Sequence, residues 1–181
     1  MKRTIALILA VLALGIAAAG CAPAGGNAET TQQTNPALTE ELSVIIDNIY
    51  TQQPLEIAVS TQEVDISDTE FALKSFTGLS SNELIQEAAV SESMIGSIAY
   101  SMVLVRVKDA KDARSVAEEM KAGIDQRKWI CVEADDLMVA GYGDVVMLIM
   151  VSSAFAEEGL TAQTMVDAFA AVCGGTLDFT I

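Results

Sequence analysis

The spacing of hydrophobic residues changes along this chain, and each change marks a predicted element. The first helix is indicated by apolar residues that recur every three or four positions. These are Leu38, Leu42, Ile45, Ile46 and Ile49. Asn35-Pro36 suits the start of this helix, and the residue before Pro54 suits its end. A short extended piece over 57–59 and a short helix over 68–76 are also predicted.

A strand-strand-helix unit is predicted next. Residues 84–91 form the weaker strand, whereas 98–107 are rich in β-branched residues and end on an alternating apolar-polar pattern. Asp109 is placed to cap a helix over 110–128. Its core face consists of Ala113, Val116, Ala117, Met120 and Ile124.

A second unit repeats this order. Residues 129–133 and 137–142 are extended candidates, and a turn signal then leads into a continuous apolar run over 145–151. Thr161 can cap a helix that ends at Val172, before two glycines. We therefore expect a single α+β domain over 37–181. Its N-terminal helices precede two such units, which form a four-stranded antiparallel sheet with the helices on one face.

The N-terminus predicts export and lipid attachment. Lys2 and Arg3 precede an apolar run over 5–19, which is short for a bilayer span but suits a signal peptide. Small residues close the run at Ala18-Ala19-Gly20, and Cys21 follows. This ending resembles the bacterial lipobox, although the position three before the cysteine is usually leucine. The resemblance implies a leader over 1–20 and diacylglycerol on Cys21.

The residues after Cys21 predict a flexible polar tether over 21–36, because they are small or polar and show no periodicity. The chain has 10 basic and 25 acidic residues, and its two basic leader residues would be removed with the leader. The remainder then carries a net charge of −17. Such a surface repels nucleic acid and anionic headgroups, so we expect no nucleic-acid partner and attachment to the outer face of the cell membrane through lipid.

The chain as a whole resembles a family of Gram-positive bacterial lipoproteins described only as a domain of unknown function. The leader, the tether, a strand ending in Val105-Arg106-Val107-Lys108-Asp109-Ala110, and the region from Asp136 to Val151 carry the resemblance. It covers most of residues 37–173. It implies a location and roughly a fold, and it assigns no catalytic residue.

Few residue types for catalysis are present. Histidine is absent, which excludes Ser-His-Asp and Cys-His mechanisms and the commonest metal ligand. No phosphate-binding glycine loop occurs, so we expect no cofactor. The acidic groups Glu133-Asp135-Asp136 and Asp65-Asp68-Glu70 are more typical of solvated turns than of calcium sites. Cys131 and Cys173 can form a disulfide or pack as separate thiols, and the second alternative is favoured.

One local group is a tentative ligand surface. Arg127 and Trp129 are a basic-aromatic pair in an acidic domain, and Tyr142 could complete a site for an anionic or sugar ligand. The simpler interpretation is a helix C-terminus with cations that suit its dipole and Trp129 in the core. We expect a non-enzymatic envelope module that binds a ligand, a protein or a glycan. The alternative is a carboxylate-dependent cell-envelope hydrolase.

Overall fold

The structure is a computed structural model that describes residues 35–181. These residues belong to one body, Gln32–Ile181. The predicted leader, Cys21 and nearly all of the predicted tether lie outside the described residues. Both hydrophobic clusters of the structure use residues from Leu38 onward, so this body contains its own core and we expect it to fold by itself.

A six-stranded antiparallel sheet forms the centre of the body, in the order β1-β2-β3-β5-β4-β6. Its strands are β1 (Val59–Glu63), β2 (Ile85–Ser93), β3 (Tyr100–Val107), β4 (Asp136–Tyr142), β5 (Val145–Val151) and β6 (Phe179–Thr180). Two hairpins, β2-β3 and β4-β5, meet where β3 pairs with β5. The turn of the second hairpin uses Gly143 in the left-handed region (φ 56°).

Helices cover both faces of this sheet. They are α1 (Leu42–Gln52), α2 (Ala72–Thr77), α3 (Ala113–Gly123) and α4 (Ala162–Val172), with short 3-10 helices at Ala110–Asp112 and Ser153–Glu158. One hydrophobic cluster joins α1 and α4 to one face, and the other joins α2 and α3 to the opposite face. Every residue of β3 and β5 is buried, which explains the continuous apolar run of β5 and the predominantly apolar sequence of β3.

The expected four-stranded sheet with helices on one face is therefore wrong in two respects. The sheet has six strands, because β1 and β6 add an edge on each side of the four predicted strands. The helices lie on both faces, because the two central strands are apolar on both sides and each side needs a cover. The α+β class and the two hairpins are as expected.

Three further predictions differ from the structure. The helix expected over 110–128 ends at Gly123, where the chain touches the end of α2. A Cβ added to Gly123 would lie 2.0 Å from the carbonyl oxygen of Gly78, so glycine permits this close approach. The extended segment expected over 129–133 is a loop. The helix expected from Pro36 begins only at Leu42, because the preceding residues bind the sheet instead.

We call this attachment of residues 35–41 the entry clasp. Its centre is Arg106 on β3, only 7% exposed, whose guanidinium donates to the Leu38 and Glu40 carbonyl oxygens. The same guanidinium pairs with Glu87 at 2.7 Å and with Asp144 at 3.0 Å. Arg106 thereby joins the first described residues to β2 and to the β4-β5 turn, at one end of the sheet.

Candidate functional site

The residues of the tentative ligand surface do not come together. Arg127 and Trp129 border a shallow, open depression after α3, where Arg127 Nε donates to Glu133 Oε2 at 3.0 Å. This contact raises the pKa of Arg127. Trp129 packs against the cluster of α2 and α3, whereas Tyr142 packs against the cluster of α1 and α4. The sheet separates the two aromatic rings, so the three residues do not form one surface.

Lys128, between Arg127 and Trp129, makes contacts that stabilise the fold. Its ammonium forms an ion pair with Glu92 of β2 and lies 5.5 Å and 5.3 Å from the ring centroids of Phe76 and Trp129. The side chain is only 17% exposed. These contacts fasten the loop after α3 to the sheet and leave the ammonium little surface for a ligand.

The two acidic groups diverge rather than converge. Asp135 accepts from the backbone and hydroxyl of Ser153, which lowers its pKa, and Asp136 accepts from the backbone of Ala162 at the start of α4. Asp65 similarly binds Ser67. Within residues 35–181, no three acidic or cysteine side chains are grouped to hold a metal ion.

Four hydroxyl groups form a partly buried hydrogen-bond network beneath α1. Tyr100 donates to Tyr50 at 3.3 Å, and Tyr50 and Thr61 donate to Ser91 Oγ at 2.6 Å and 3.0 Å. Burial raises the pKa of both tyrosines, which disfavours a phenolate base beside Ser91. The network joins α1 to β1, β2 and β3 and does not supply an activated nucleophile.

The two cysteines of the body are both free thiols and lie in different environments. Cys131 is exposed in the loop after α3, whereas Cys173 is buried at the end of α4, 7% exposed. Burial, with the nearby Glu40 and Asp178 carboxylates, raises the pKa of Cys173 to about 12.

We expect thiol titration of the folded Gln32–Ile181 body at pH 8 to detect one fast-reacting group, Cys131. Cys173 should react only after denaturant is added, because the thiolate is the reactive form and burial suppresses it. Cys131→Ser should remove the fast phase and leave the slow one. Absence of free thiol in the unreduced, unfolded protein would show a disulfide instead.

A cavity with a volume of about 530 Å³ lies beside the start of α3. Three parts of the body form it: residues 109–114 at the start of α3, Asn35 together with Gly143 of the β4-β5 turn, and residues 176–179 around the start of β6. Its lining consists of Asn35, Asp109, Ala110, Lys111, Ala113, Arg114, Gly143, Thr176, Leu177, Asp178 and Phe179. The volume is in the range of small-molecule sites.

An arginine on an aromatic ring forms one wall of this cavity. The Arg114 guanidinium carbon lies 5.5 Å from the centroid of the Phe179 ring. The ring in turn packs on Gly141 of β4, where an added Cβ would come within 2.3 Å of it. Arg114 Nε lies 3.2 Å from Glu118 Oε1, and the side chain remains 46% exposed. The ring and Glu118 hold the guanidinium beside the cavity.

The carboxylates of the cavity bind mainly backbone groups. Asp109 accepts from the backbone and ammonium of Lys111, which lowers its pKa. Asp178 accepts from the backbone N–H groups of Asn35 and Gly143 at 2.8 Å and 2.6 Å. Asp178 therefore joins Asn35 to the β4-β5 turn and forms one wall of the cavity.

This arrangement can bind an anion. A guanidinium stacked on a ring and held by one carboxylate still offers donors to a carboxylate or phosphate group. Sequence reasoning missed this cavity because Arg114 and Lys111 look like ordinary solvent-exposed helix residues. A weak signal was present: Leu177, Phe179 and Ile181 alternate with polar residues, as in a strand.

Comparison of the chain with protein-family models, with curated proteins and with solved structures finds no match. Among residues 35–181, none of the helices combines the length and the hydrophobicity needed to cross a bilayer.

Proposed function

We propose that this chain is a lipid-anchored envelope protein whose cavity binds a small ligand with a carboxylate or other anionic group. The observation that carries the proposal is the cavity of about 530 Å³ with Arg114 oriented by Phe179 at its wall. Ligand sites combine a concave volume with a few placed polar groups, and this cavity has both features.

The anchor part of the proposal rests on the sequence around Cys21. Asn35 is a cavity residue and also the first described residue, and it lies at the C-terminal end of the proposed tether. The ligand site would thus lie at the end of the body that the tether reaches. From Cys21 to Asn35 the chain spans at most about 50 Å when fully extended, so the site would stay near the membrane.

Mass spectrometry tests the anchor directly. The wild-type chain, expressed in a Gram-positive host, should carry diacylglycerol on Cys21 and fractionate with membranes. Cys21→Ala should lose the added lipid mass and the cleavage next to it. An unlipidated wild-type protein would contradict the anchor and leave the proposed ligand site untouched.

The cavity favours binding over hydrolysis by carboxylates. A glycoside hydrolase of the usual kind needs one carboxylic acid with a raised pKa opposite a second carboxylate. In this cavity the pKa of Asp109 is lowered by Lys111, and both oxygens of Asp178 accept from backbone N–H groups. These carboxylates are suited to holding the walls in place.

Calorimetric titration tests the ligand class. We would titrate the Gln32–Ile181 body with N-acetyl amino acids, dicarboxylates and inorganic phosphate, and expect at least one anion to bind. Arg114→Ala should weaken that binding by about tenfold or more, since a charge-assisted hydrogen bond is lost. Arg114→Lys should recover part of the affinity, because lysine keeps the charge without the planar donor pair.

Arg127→Ala is the matched control. It also removes an exposed, ion-paired arginine, but from the loop after α3 and away from the cavity lining. Its affinity for the same anion should equal that of the wild type. Equal weakening by both substitutions would mean that the ligand responds only to net charge, and the proposal would be wrong.

A further inference from the structure

The outer edge of β1 has backbone groups without a partner among the described residues. Val64 N–H donates to Ala88 O at 2.9 Å and Met94 N–H donates to Ala58 O at 3.0 Å, so the even-numbered residues here bond towards β2. Successive residues of a strand direct their backbone groups to opposite sides. The N–H and C=O groups of Val59, Thr61 and Glu63 therefore point away from the sheet, and no backbone hydrogen bond from another described element reaches them.

Features that normally block strand addition are missing from β1. Proteins protect their edges with proline, lysine, bulges or very short strands. β1 has five residues without proline or lysine, and its pairing with β2 runs in unbroken register from Val59 to Glu63. The hydroxyl contact of Thr61 with Ser91 holds it in place. The opposite edge, β6, has only two residues.

The chain segment that contains this edge is acidic, and Glu41 lines the same surface depression as Glu63 of β1. Residues 35–73 contain eight Asp and Glu residues and no Lys or Arg. None of the eight takes part in an ion pair among the described residues. Glu63 is in β1 itself, and Glu56 and Asp65 lie on either side of it along the chain. A partner segment with positive charge would complement this field, whereas a second copy of this chain would be repelled.

We infer that the outer edge of β1 binds an extended, lysine- or arginine-rich segment of a partner protein by strand addition. The backbone groups of Val59, Thr61 and Glu63 would supply the main-chain hydrogen bonds, and the carboxylates in and next to β1 would select for basic side chains. This surface is separate from the proposed ligand cavity, which involves none of these residues.

Amide hydrogen exchange of the Gln32–Ile181 body tests the inference. The probe is a nine-residue peptide of alternating lysine and threonine. We expect it to slow exchange of the Thr61 and Glu63 amides by about tenfold at saturation. Two control peptides separate the contributions: glutamate in place of lysine reverses the charge, and methylation of every backbone nitrogen keeps the charge but removes the backbone donors. Neither should protect these amides.

Charge reversal provides the second measurement. Glu63→Lys should weaken binding of the lysine-threonine peptide by about fivefold at low salt. Glu157→Lys, the same change on the 3-10 helix after β5, should leave it unchanged. Equal protection by the N-methylated peptide would overturn strand addition, because charge alone would then suffice. Protection that rises with protein concentration in the absence of peptide would identify a second copy as the occupant, and would also overturn the inference.

Discussion

Replacing Arg106 by methionine should lower the free energy of unfolding by about 3 kcal/mol, the largest loss expected from any single polar residue of the body. Methionine keeps the aliphatic part of the side chain but removes every donor. Asp144, whose side chain is only 15% exposed, would then remain as a largely buried charge without its cation. The carbonyl oxygens of Leu38 and Glu40 would also lose their donor.

Urea denaturation followed by circular dichroism measures this loss. Arg127→Met is the control, since Arg127 also pairs with one carboxylate but is 76% exposed. Its midpoint should match that of the wild type, because exposed ion pairs contribute little. We also expect Arg106→Met to speed hydrogen exchange of the Leu38 amide, which donates to Asp144. A midpoint equal to that of Arg127→Met would contradict the entry clasp as the anchor of residues 35–41.

Gly141→Ala should both destabilise the body and weaken ligand binding at the cavity. The new methyl group would overlap the Phe179 ring, and overpacking of this kind costs about 1–3 kcal/mol. The ring can move only by leaving β4, which would break the short β4-β6 pairing at Gly141 and Phe179. Arg114 would then lose the surface on which its guanidinium rests. We expect anion affinity to fall by about tenfold or more, as in Arg114→Ala.

Gly96→Ala is the matched control for this substitution. Gly96 lies in the β2-β3 connection with a negative φ, and nothing lies within 4 Å of the position that a Cβ would take. Its stability should be unchanged or slightly raised. Calorimetry and urea denaturation of both variants separate the effects. If Gly141→Ala binds the anion as tightly as Gly96→Ala does, the stacked arginine is not required for recognition.

The local elements could be predicted from the sequence, but their arrangement could not. The strands β3 and β5 and the helix α4 follow from the apolar patterns, and the cap at Thr161 forms as expected, accepting from Thr164. The side of the sheet on which each helix packs is a long-range property. The edges were missed because β1 is largely polar and β6 has only two residues, so neither shows a strong period.

The candidate site was harder to predict than the fold, for a similar reason. Arg127, Trp129 and Tyr142 are conspicuous as residue types, but the sheet lies between the two aromatic rings. Arg114 is unremarkable in sequence and gains its setting from Phe179, 65 positions later. The sequence predicts Arg106 only as one polar position in the alternating end of a strand, whereas residues 35–41 cover it. Contacts over such separations leave no periodic signal.

Backbone amide NMR of the Gln32–Ile181 body, titrated with the tightest-binding anion, locates the ligand site residue by residue. We expect the largest shifts on two segments that are distant in sequence and share the cavity, residues 109–114 and 176–179. The same titration of Arg114→Ala should leave those amides unmoved at equal concentrations. Shifts centred on Arg127 and Trp129, or no saturable shifts with any of the anions, would contradict a ligand site beside α3.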